Sequence, residues 1–310
     1  MSDVSGPQAG GGCTTLISIL SPVHNESKHI EEMITSLQHQ THTNWECVFV
    51  DDGSDDDTPE IIDASAALDK RIRLVHRGSR IGKSAAFNLA FREAKGDVIV
   101  LLAGDDRLPP HSLEVRAADL AGDPNDLNLA AYKLQAFSED PRYDNMVLPR
   151  SPAAVSYSGG TLTMSRGLAR LLFPVPESLP SEDLWLGYAA PKIASRVVEN
   201  PTVILEYRIH PGNSNPRQAK FAEMDARIAP RHEAFKLLAD STLPLDGVSR
   251  THFHALWNAE QLRRQRKLLA ITRAQGLTYT ERGSFLAMAS PTLFRLRSRF
   301  YKFFSGRQGR

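Results

Sequence analysis

Cysteine is scarce in this chain: there are two in 310 residues, Cys13 in a glycine-rich leader and Cys47 inside an apolar run. Two cysteines so placed support neither a disulfide framework nor a zinc site. Long apolar runs are also missing, because the longest, residues 98–103, is far below the roughly 18 residues that a membrane-spanning helix needs. Residues 1–12 lack the apolar centre of a signal peptide. We therefore expect a protein of the reducing cytoplasm that is neither secreted by that route nor transmembrane.

The remaining composition is that of a folded globular protein, with 41% hydrophobic and 24% charged residues. A chain of 310 residues fits one α/β domain with a smaller appendage. The net charge of +1 hides an uneven distribution of charge. Acidic residues are densest between Asp51 and Asp106, whereas residues 295–310 contain arginines and a lysine but no acid. This basic end of the chain is suited to an anionic surface.

Short apolar runs alternate with helix-period segments up to about residue 120. One face of the first helix is apolar and is formed by Ile30, Met33, Ile34 and Leu37. Strands are expected at residues 16–20, 48–50, 72–75 and 98–102, with a helix after each. Thr58 before Pro59 has the pattern of a helix N-cap. This order predicts an α/β fold with a mostly parallel central sheet covered by helices on both faces.

The pattern is weaker in the second part of the chain. Strands are expected at residues 129–137 and 161–164, followed by a short helix near residues 168–172. From residue 217 to about residue 275 the composition indicates helices. We therefore expect a C-terminal helical extension behind the domain that forms the sheet.

Two of the predicted strands end in acidic turns. The apolar run from Trp45 leads into Asp51 and Asp52 before a glycine, and the strand at 98–102 leads into Ala103-Gly104-Asp105-Asp106. In an open α/β sheet, ligands bind in the crevice beyond the carboxyl ends of the strands. The two turns therefore predict a site for one polar ligand together with a metal. A plain turn is the alternative for Asp51 and Asp52, since Asp, Gly and Ser are common turn residues.

Four motifs, in this order and spacing, resemble the family 2 glycosyltransferases, which have the GT-A fold. The motifs are Ser21-Pro22-Val23-His24-Asn25-Glu26, Val50-Asp51-Asp52-Gly53-Ser54-Asp55, Gly82-Lys83-Ser84 through Asn88 with Ala103-Gly104-Asp105-Asp106, and Ser181-Glu182-Asp183. The resemblance covers roughly residues 14–215. It implies an inverting enzyme that moves a sugar from a nucleotide-diphosphate sugar, with a UDP-sugar favoured, to a hydroxyl acceptor. The acceptor would be a glycan, a glycolipid or a small molecule, in the synthesis of a polysaccharide or other glycoconjugate.

The resemblance also implies a division of the chain. Residues 1–13 are expected to form a flexible leader, and residues 14–215 a GT-A-like domain. Within that domain, residues 14–123 would bind the nucleotide and residues 124–215 the acceptor. Residues 216–310 would form the helical extension.

The resemblance assigns the donor site to the first half of the domain. Asp51 and Asp52 are both expected to bind the nucleotide sugar. Asp52 matches a carboxylate that accepts a hydrogen bond from the nucleotide base, and Asp105 matches one that binds the ribose. The other wall of this nucleotide-sugar pocket would be formed by Pro22, His24 and Glu26. Lys83 would contact a phosphate, helped by the N-terminus of its helix, although a solvated lysine is the alternative.

The resemblance implies a divalent metal cofactor. Asp106 matches the carboxylate that holds Mg²⁺ or Mn²⁺ against the diphosphate, a hard ion that prefers oxygen ligands. His210 lies in a polar loop and matches a histidine that joins the metal or the diphosphate. The chain departs from the family pattern at Ala103, where Asp is frequent, and at Phe87, where Arg is common. Both departures bear on how the metal and the phosphates are bound.

Glu182 and Asp183 are the predicted catalytic residues. Asp183 matches the general base that removes the proton from the acceptor, and Glu182 would orient or bind the acceptor. Ser181 is the predicted N-cap, so the two carboxylates are expected in the first helical turn and facing a cleft. The alternative is that the pair serves only the helix dipole. Trp185 would form the floor of the acceptor site or belong to the hydrophobic core.

The C-terminal tail interleaves aromatic and basic residues between Phe294 and Phe304. This pattern is typical of contact with a membrane surface, which would suit a lipid-linked acceptor and place the protein at the inner face of the membrane. Packing in a homo-oligomer is an alternative. Binding to nucleic acid is not expected, because the charge is local and no nucleic-acid-binding fold is predicted.

Two other functions remain open from the sequence. A nucleotide-sugar-binding subunit without turnover would explain Ala103 and Phe87, but the retained Glu182 and Asp183 argue against it. A sugar nucleotidyltransferase would need a glycine-rich loop with Lys or Arg after the first strand. This chain has Pro22-Val23-His24-Asn25 there.

Overall fold

The computed structural model describes residues 15–210 and 220–296. In these residues one sheet contains all the strands. The strands are β1 Ile17–Val23, β2 Trp45–Asp51, β3 Ile72–His76, β4 Val98–Leu101, β5 Asn128–Phe137, β6 Met146–Leu148, β7 Leu162–Ser165 and β8 Arg196–Arg208. The helices are α1 Ile30–Gln38, α2 Thr58–Leu68, α3 Lys83–Glu93, α4 Ser112–Asp119, α5 Arg166–Leu172, α6 Asp183–Ile193, α7 Phe221–Arg231, α8 Glu233–Asp240, α9 Gly247–Arg264, α10 Leu268–Arg273 and α11 Tyr279–Ala289.

The sheet has a parallel half and a mixed half. Its order is β3-β2-β1-β4-β7-β5-β6, with β8 beside β5. Strands β3, β2, β1 and β4 are parallel, and α1 to α3 are the crossovers that parallel neighbours require. Strand β7 is antiparallel to β4 and β5, whereas β8 runs parallel to β5. The predicted α/β fold is confirmed, and antiparallel pairing is confined to the second half.

Buried side chains form a hydrophobic layer on each face of the sheet. Alternate residues of one strand point to opposite layers, as Leu20 and Ile19 of β1 do. One layer includes the apolar face predicted for α1, together with residues of α2 and α4. The other layer includes α3, α5 and α6 and continues into the extension through Phe235 of α8 and Phe253 of α9. The helical extension therefore shares the core of the domain.

Some element ends differ from the sequence predictions. Strand β1 does not stop at Ser21-Pro22 but runs to Val23, with Pro22 opposite Val50 of β2. The pairing of β1 with β4 ends at Leu20, so Pro22 needs no N–H for a neighbour on that side. The N-cap of α2 is Asp57 rather than Thr58, which is the first helical residue. The predicted domain boundaries remain predictions.

No helix in residues 15–210 or 220–296 combines the length and apolar character needed to span a bilayer.

Candidate active site

The carboxyl ends of β1 and β2 bring the first two motifs together at one edge of the sheet. The backbone N–H of Asp52 donates to the carbonyl of Val23 at 2.8 Å. The backbone N–H of Asn25 donates to Ser54 Oγ at 2.9 Å, and that of Glu26 donates to Thr58 Oγ1 at 2.8 Å. These bonds fix the loop after β1 to the loop after β2. The two loops predicted to form the walls of the donor pocket are therefore held together by hydrogen bonds.

Asp51 and Asp52 have different roles in this edge. Asp51 Oδ1 accepts from the backbone N–H of Ser54 at 3.1 Å and closes the turn. Asp52 Oδ1 accepts from the backbone N–H groups of Ile81 and Gly82 at 2.6 and 2.8 Å, which brings the loop before α3 onto the turn. Asp52 Oδ2 lies 3.9 Å from Arg80 Nε. Asp51 thus closes the turn through Oδ1, and its predicted contact with the nucleotide remains a prediction. Asp52 has its second carboxylate oxygen near the Arg80 cation.

Gly53 lies where these loops touch. Its φ of +76° falls in the region that residues with a side chain rarely adopt. A Cβ at this position would lie 2.8 Å from both Arg80 N and Gly78 O, which are backbone atoms. Both the conformation and the space therefore require glycine between the acidic turn and the loop before α3.

A carboxylate cluster formed by Glu26, Asp105 and Asp106 lies at the end of β4. A Cβ at Gly104 would lie 3.0 Å from Glu26 Cγ, so this glycine allows the loop after β1 to approach closely. Burial raises the pKa of Glu26 to about 8, and the Asp105 and Asp56 carboxylates add to the rise. Burial, followed by repulsion from Asp105, also raises the pKa of Asp106 well above its usual range. Without a bound metal ion, both carboxyl groups therefore favour their neutral, protonated forms.

The end of β8 covers the carboxylate cluster with two basic residues. His210 Nε2 lies 3.0 Å from Asp105 Oδ2. The backbone N–H of Arg208 donates to Asp106 Oδ1 at 2.9 Å, and Arg208 Nε donates to the carbonyl of Asp105 at 2.8 Å. The structure therefore brings together Asp105, Asp106 and His210, which the sequence predicted for the ribose and the metal.

The residues at this cluster fit a divalent ion that is only partly held by protein. Within the described ranges no group of three or more His, Cys, Asp or Glu side chains is arranged as a preformed metal site. The available donors are carboxylate oxygens and an imidazole nitrogen. Burial, followed by repulsion from Asp105, raises the pKa of Glu26 and of Asp106, and a bound cation would favour their ionised forms. Magnesium and related hard ions are often bound by one or two carboxylates together with substrate phosphates.

A second charged group surrounds the start of α6. Lys83 Nζ lies 3.3 Å from Glu182 Oε2, and Arg231 Nη2 donates to Asp183 Oδ2 at 2.8 Å. Helix α3 also fixes the segment before Glu182, because Ser84 Oγ donates to the carbonyl of Leu179 at 2.7 Å. The structure thus pairs Lys83 with the predicted catalytic acids, and its predicted contact with a phosphate remains a prediction.

The start of α6 differs from the prediction by one residue. Glu182, rather than Ser181, occupies the N-cap position, and Asp183 is the first helical residue. Glu182 is 2% exposed, so its carboxylate is buried against Lys83 rather than open to a cleft. Trp185 belongs to the core, because it is 5% exposed and its Nε1 donates to the carbonyl of Leu172 at 2.8 Å.

The surroundings shift the pKa values of Glu182 and Asp183 in opposite directions. Burial raises the pKa of Glu182 to about 7, although Lys83 opposes the rise. Burial also acts against ionisation of Asp183, but Lys83 and then Arg231 outweigh it and lower its pKa. Burial disfavours the charge on Lys83, yet Glu182 and Asp183 raise its pKa. Pairs of carboxyl groups whose pKa values diverge in this way are typical of acid–base sites.

A glycine pair connects the carboxylate cluster to the group around Asp183. A Cβ at Gly160 would lie 3.0 Å from the carbonyl oxygen of Leu101, at the end of β4. A Cβ at Gly159 would lie 3.6 Å from Asp183 Oδ1. The 3-10 turn at these glycines therefore lies between the end of β4 and the start of α6. The turn thus joins the strand end that precedes Asp105 and Asp106 to the helix start that carries Asp183.

Sequence reasoning missed Arg231. It ends α7, in a helix without a recognisable motif, and its partner Asp183 begins a helix of the preceding domain. No local signal in the sequence indicates this pairing. The close approach of Gly159 to Asp183 was missed for the same reason, although the double glycine itself is visible in the sequence.

Comparisons with known sequences all find glycosyltransferases. The sequence model described as Glycosyl transferase family 2 matches residues 18–153. Glycosyltransferase GlyG of Streptococcus pneumoniae is 35% identical over 99 residues, which cover 32% of this chain and 33% of GlyG. EpsH of Bacillus subtilis, provisionally assigned as a glycosyltransferase, is 27% identical over 214 residues, which cover 64% of this chain and 62% of EpsH. The chain thus spans less than two thirds of the length of these relatives.

Solved structures extend the likeness to nearly the whole chain. Residues 1–349 of S. aureus TarS, in complex with UDP-GlcNAc, match with a TM-score of 0.57 at 17% identity, covering 94% of this chain and 89% of that one. The mannosyltransferase PcManGT of Pyrobaculum calidifontis, in complex with GDP-Man and Mn²⁺, matches with a TM-score of 0.55 at 21% identity, covering 92% and 87%. At these identities the likeness shows the fold.

Proposed function

Because this chain belongs to glycosyl transferase family 2, we propose that it transfers a sugar from a nucleotide-diphosphate sugar to a hydroxyl acceptor, with inversion at the anomeric carbon. The observation that carries the proposal is the glycine turn, which approaches the end of β4 at Gly160 and Asp183 at Gly159. One side presents the carboxylate cluster at the end of β4, and the other presents Asp183 with a lowered pKa. Sugar transfer needs both a donor site and a nearby base.

The donor would lie across the ends of β1, β2 and β4. In our proposal Asp52 accepts from the base, Asp105 binds the ribose, and Pro22, His24 and Glu26 form the other wall. Within the described residues, His24 Nδ1 is buried without a hydrogen-bond partner, which supports a polar ligand beside it. A UDP-sugar is favoured. This preference has the support of TarS in complex with UDP-GlcNAc, whereas PcManGT is in complex with GDP-Man.

We assign Asp106 and His210 to a divalent metal, Mg²⁺ or Mn²⁺. Such an ion, when bound, neutralises the charge of the diphosphate and of the departing phosphate oxygen. The proximity of Asp106 to Asp105 and Glu26, and the contact of His210 with Asp105, support a cation at this place. Because residue 103 is alanine, the acidic residues that follow it would have to hold the ion.

Asp183 would act as the general base of a single displacement. The acceptor oxygen attacks the anomeric carbon, the bond from that carbon to the diphosphate oxygen breaks, and the acceptor proton moves to Asp183. Arg231 bonds with Oδ2, so we assign Oδ1, beside Gly159, to take the proton. Lys83 and Arg231 lower the pKa of Asp183 against the effect of burial, which keeps the base ionised at neutral pH. This arrangement favours an enzyme over a binding subunit without turnover.

The proposed reaction is tested with UDP-sugars and GDP-sugars and a panel of hydroxyl acceptors, with water as the acceptor of last resort. Release of the nucleoside diphosphate measures turnover, and NMR of the sugar product gives its anomeric configuration. An α-linked donor is expected to give a β-linked product. Retention of configuration would contradict the single displacement. Release of pyrophosphate or formation of a nucleotide sugar would instead favour a nucleotidyltransferase.

The metal assignment predicts that binding of UDP depends on Mn²⁺. At a ligand concentration 100 times Kd, UDP with Mn²⁺ is expected to stabilise the fold by about 2.7 kcal/mol, seen as a higher unfolding temperature. Chelator should remove most of this shift. Asp106→Asn should also remove it without unfolding the protein, because the amide oxygen can still accept from the N–H of Arg208. Asp63→Asn is the matched control, because the Asp63 side chain is exposed on the outer face of α2. Equal UDP affinity with Mn²⁺ and with chelator would contradict the assignment.

We further propose that the basic C-terminal tail contacts anionic membrane and that the acceptor is lipid-linked. Most of this tail, residues 297–310, lies outside the described residues. Phe294 packs against Phe221 of α7, with ring centroids 5.7 Å apart, so a deletion should begin at residue 297. We expect this deletion to abolish co-sedimentation with anionic liposomes at low salt while UDP affinity is unchanged. If the full-length chain does not co-sediment, oligomer packing becomes the favoured role, which sedimentation velocity would test.

A further inference from the structure

The extension contributes a side chain to the site around Asp183. Arg231, the last residue of α7, donates from Nη2 to Asp183 Oδ2 at 2.8 Å. Their side chains are 19% and 21% exposed, so the pair is shielded from most of the solvent. A charge-assisted bond in such a setting is stronger than an ion pair on the open surface. It also fixes the direction of the carboxylate.

A buried ion network holds the backbone next to Arg231. His232 follows it directly, and His232 Nδ1 lies 2.7 Å from Glu260 Oε2 of α9. Glu260 is fully buried and also accepts from Arg263 Nε at 2.7 Å and from Arg264 Nε at 2.9 Å. The junction of α7 and α8 is thus fixed by α9. Arg231 is consequently presented from a rigid part of the extension rather than from a loose surface helix.

Three charged side chains face Asp183, each from a different element. Lys83 comes from α3, Glu182 from the segment before α6, and Arg231 from α7. Lys83 is paired with Glu182 at 3.3 Å. Among these groups, Arg231 is the cation bonded directly to Asp183. Replacing it would therefore leave Asp183 with Lys83 as a cation that is shared with Glu182.

We propose that Arg231 is a positioning residue for Asp183, which it keeps ionised and oriented toward the acceptor, so that the helical extension is part of the active site. This inference rests on the proposed function, because orienting a general base matters only where transfer occurs. Neither the sequence motifs nor the extent of the family match at residues 18–153 includes this residue.

The test compares pH profiles of kcat/KM for the full-length protein, Arg231→Gln and Arg231→Lys. Removing an adjacent Arg raises the pKa of an Asp by about 1–3 units, so Arg231→Gln should shift the acidic limb upward by that amount. Donor Kd should stay unchanged. Arg231→Lys should return the acidic limb most of the way to its pH in the unmodified protein, because lysine keeps the positive charge. Arg227→Gln is the matched control, since Arg227 lies one turn earlier and is bonded to Glu223 at 2.8 Å.

A readout without turnover separates this inference from the proposed function. Carboxyl-carbon NMR would follow the titration of Asp183, assigned by its absence in Asp183→Asn, in the unmodified protein and in the Arg231 variants. If the unmodified protein transfers no sugar but Arg231→Gln shifts this titration upward, the proposed function fails while the coupling of Arg231 to Asp183 stands. If transfer occurs and Arg231→Gln leaves both the titration and the acidic limb in place, the inference is overturned. A loss of activity that is equal at every pH and is not rescued by Lys would also overturn it.

Discussion

Asp183→Asn is expected to lower kcat by about 10²–10⁴-fold, the usual contribution of a positioned proton acceptor. Asparagine keeps the shape of the side chain and the bond from Arg231 Nη2 but cannot take the acceptor proton. Donor affinity should be nearly unchanged, because the donor is bound at the ends of β1, β2 and β4. The measurement is kcat for transfer, or for slow donor hydrolysis, together with UDP affinity by calorimetry.

Glu182→Gln is the control for this experiment. Burial already raises the pKa of Glu182 to about 7, so glutamine resembles the neutral form that prevails below that pH. The loss in kcat should therefore be smaller than for Asp183→Asn. The reverse order of effects would exchange the roles of the two residues. Near-full activity in both variants would reduce the pair to a charged helix start.

The donor half of the site could be predicted because each of its signals is local. An apolar strand followed by an acidic turn occurs twice, and parallel strands bring both turns to one edge. The hydrogen bond from the backbone N–H of Asn25 to Ser54 Oγ then joins two loops that lie far apart in the sequence. The prediction for Asp51 was less specific than the structure, since a turn carboxylate and a ligand carboxylate look alike in the sequence.

The acceptor half could not be predicted in the same way, because its partners come from distant parts of the chain. Ser181 has the better local propensity for an N-cap, but α6 begins at Asp183, and Glu182 is drawn to Lys83 of α3. The arginine that holds Asp183 lies on a helix whose sequence shows only amphipathic character. Tertiary pairing therefore decided both the helix start and the protonation of the two acids.

The extension was predicted as an appendage, yet it packs as part of the domain. Tyr188 of α6 contacts Phe235 and Phe253 of the extension, with ring centroids 5.1 and 6.2 Å apart. The same layer of core runs from α3 to α11. A network that fixes the extension should thus affect the stability of the whole fold as well as the position of Arg231.

Glu260→Ala is accordingly expected to lower the free energy of unfolding by about 3–5 kcal/mol, the usual result of removing one partner of a buried ion pair. Arg263, whose side chain is fully buried, would lose two bonds, from Nε to Oε2 at 2.7 Å and from Nη2 to Oε1 at 2.8 Å. Urea unfolding at pH 7, followed by circular dichroism, measures the change. Glu233→Ala is the matched control, because Glu233 is half exposed and lies 3.7 Å from Arg264 of the same network. Its loss should be below about 1 kcal/mol.

The loss of stability in Glu260→Ala should depend on pH. Although burial opposes ionisation, hydrogen bonds from Arg263 and His232 lower the pKa of Glu260 from 4.5 to about 2. A carboxyl group whose pKa is lower in the folded state stabilises that state fully above its unfolded pKa and loses the effect as the pH falls toward the folded value. The contribution of the Glu260 charge to the stability difference between the unmodified protein and Glu260→Ala should therefore be complete above about pH 5 and should be lost progressively below pH 4.5. A difference that stays the same at pH 4 and below, or one no larger than that of Glu233→Ala at pH 7, would contradict a role for the charge of Glu260 and leave only its packing.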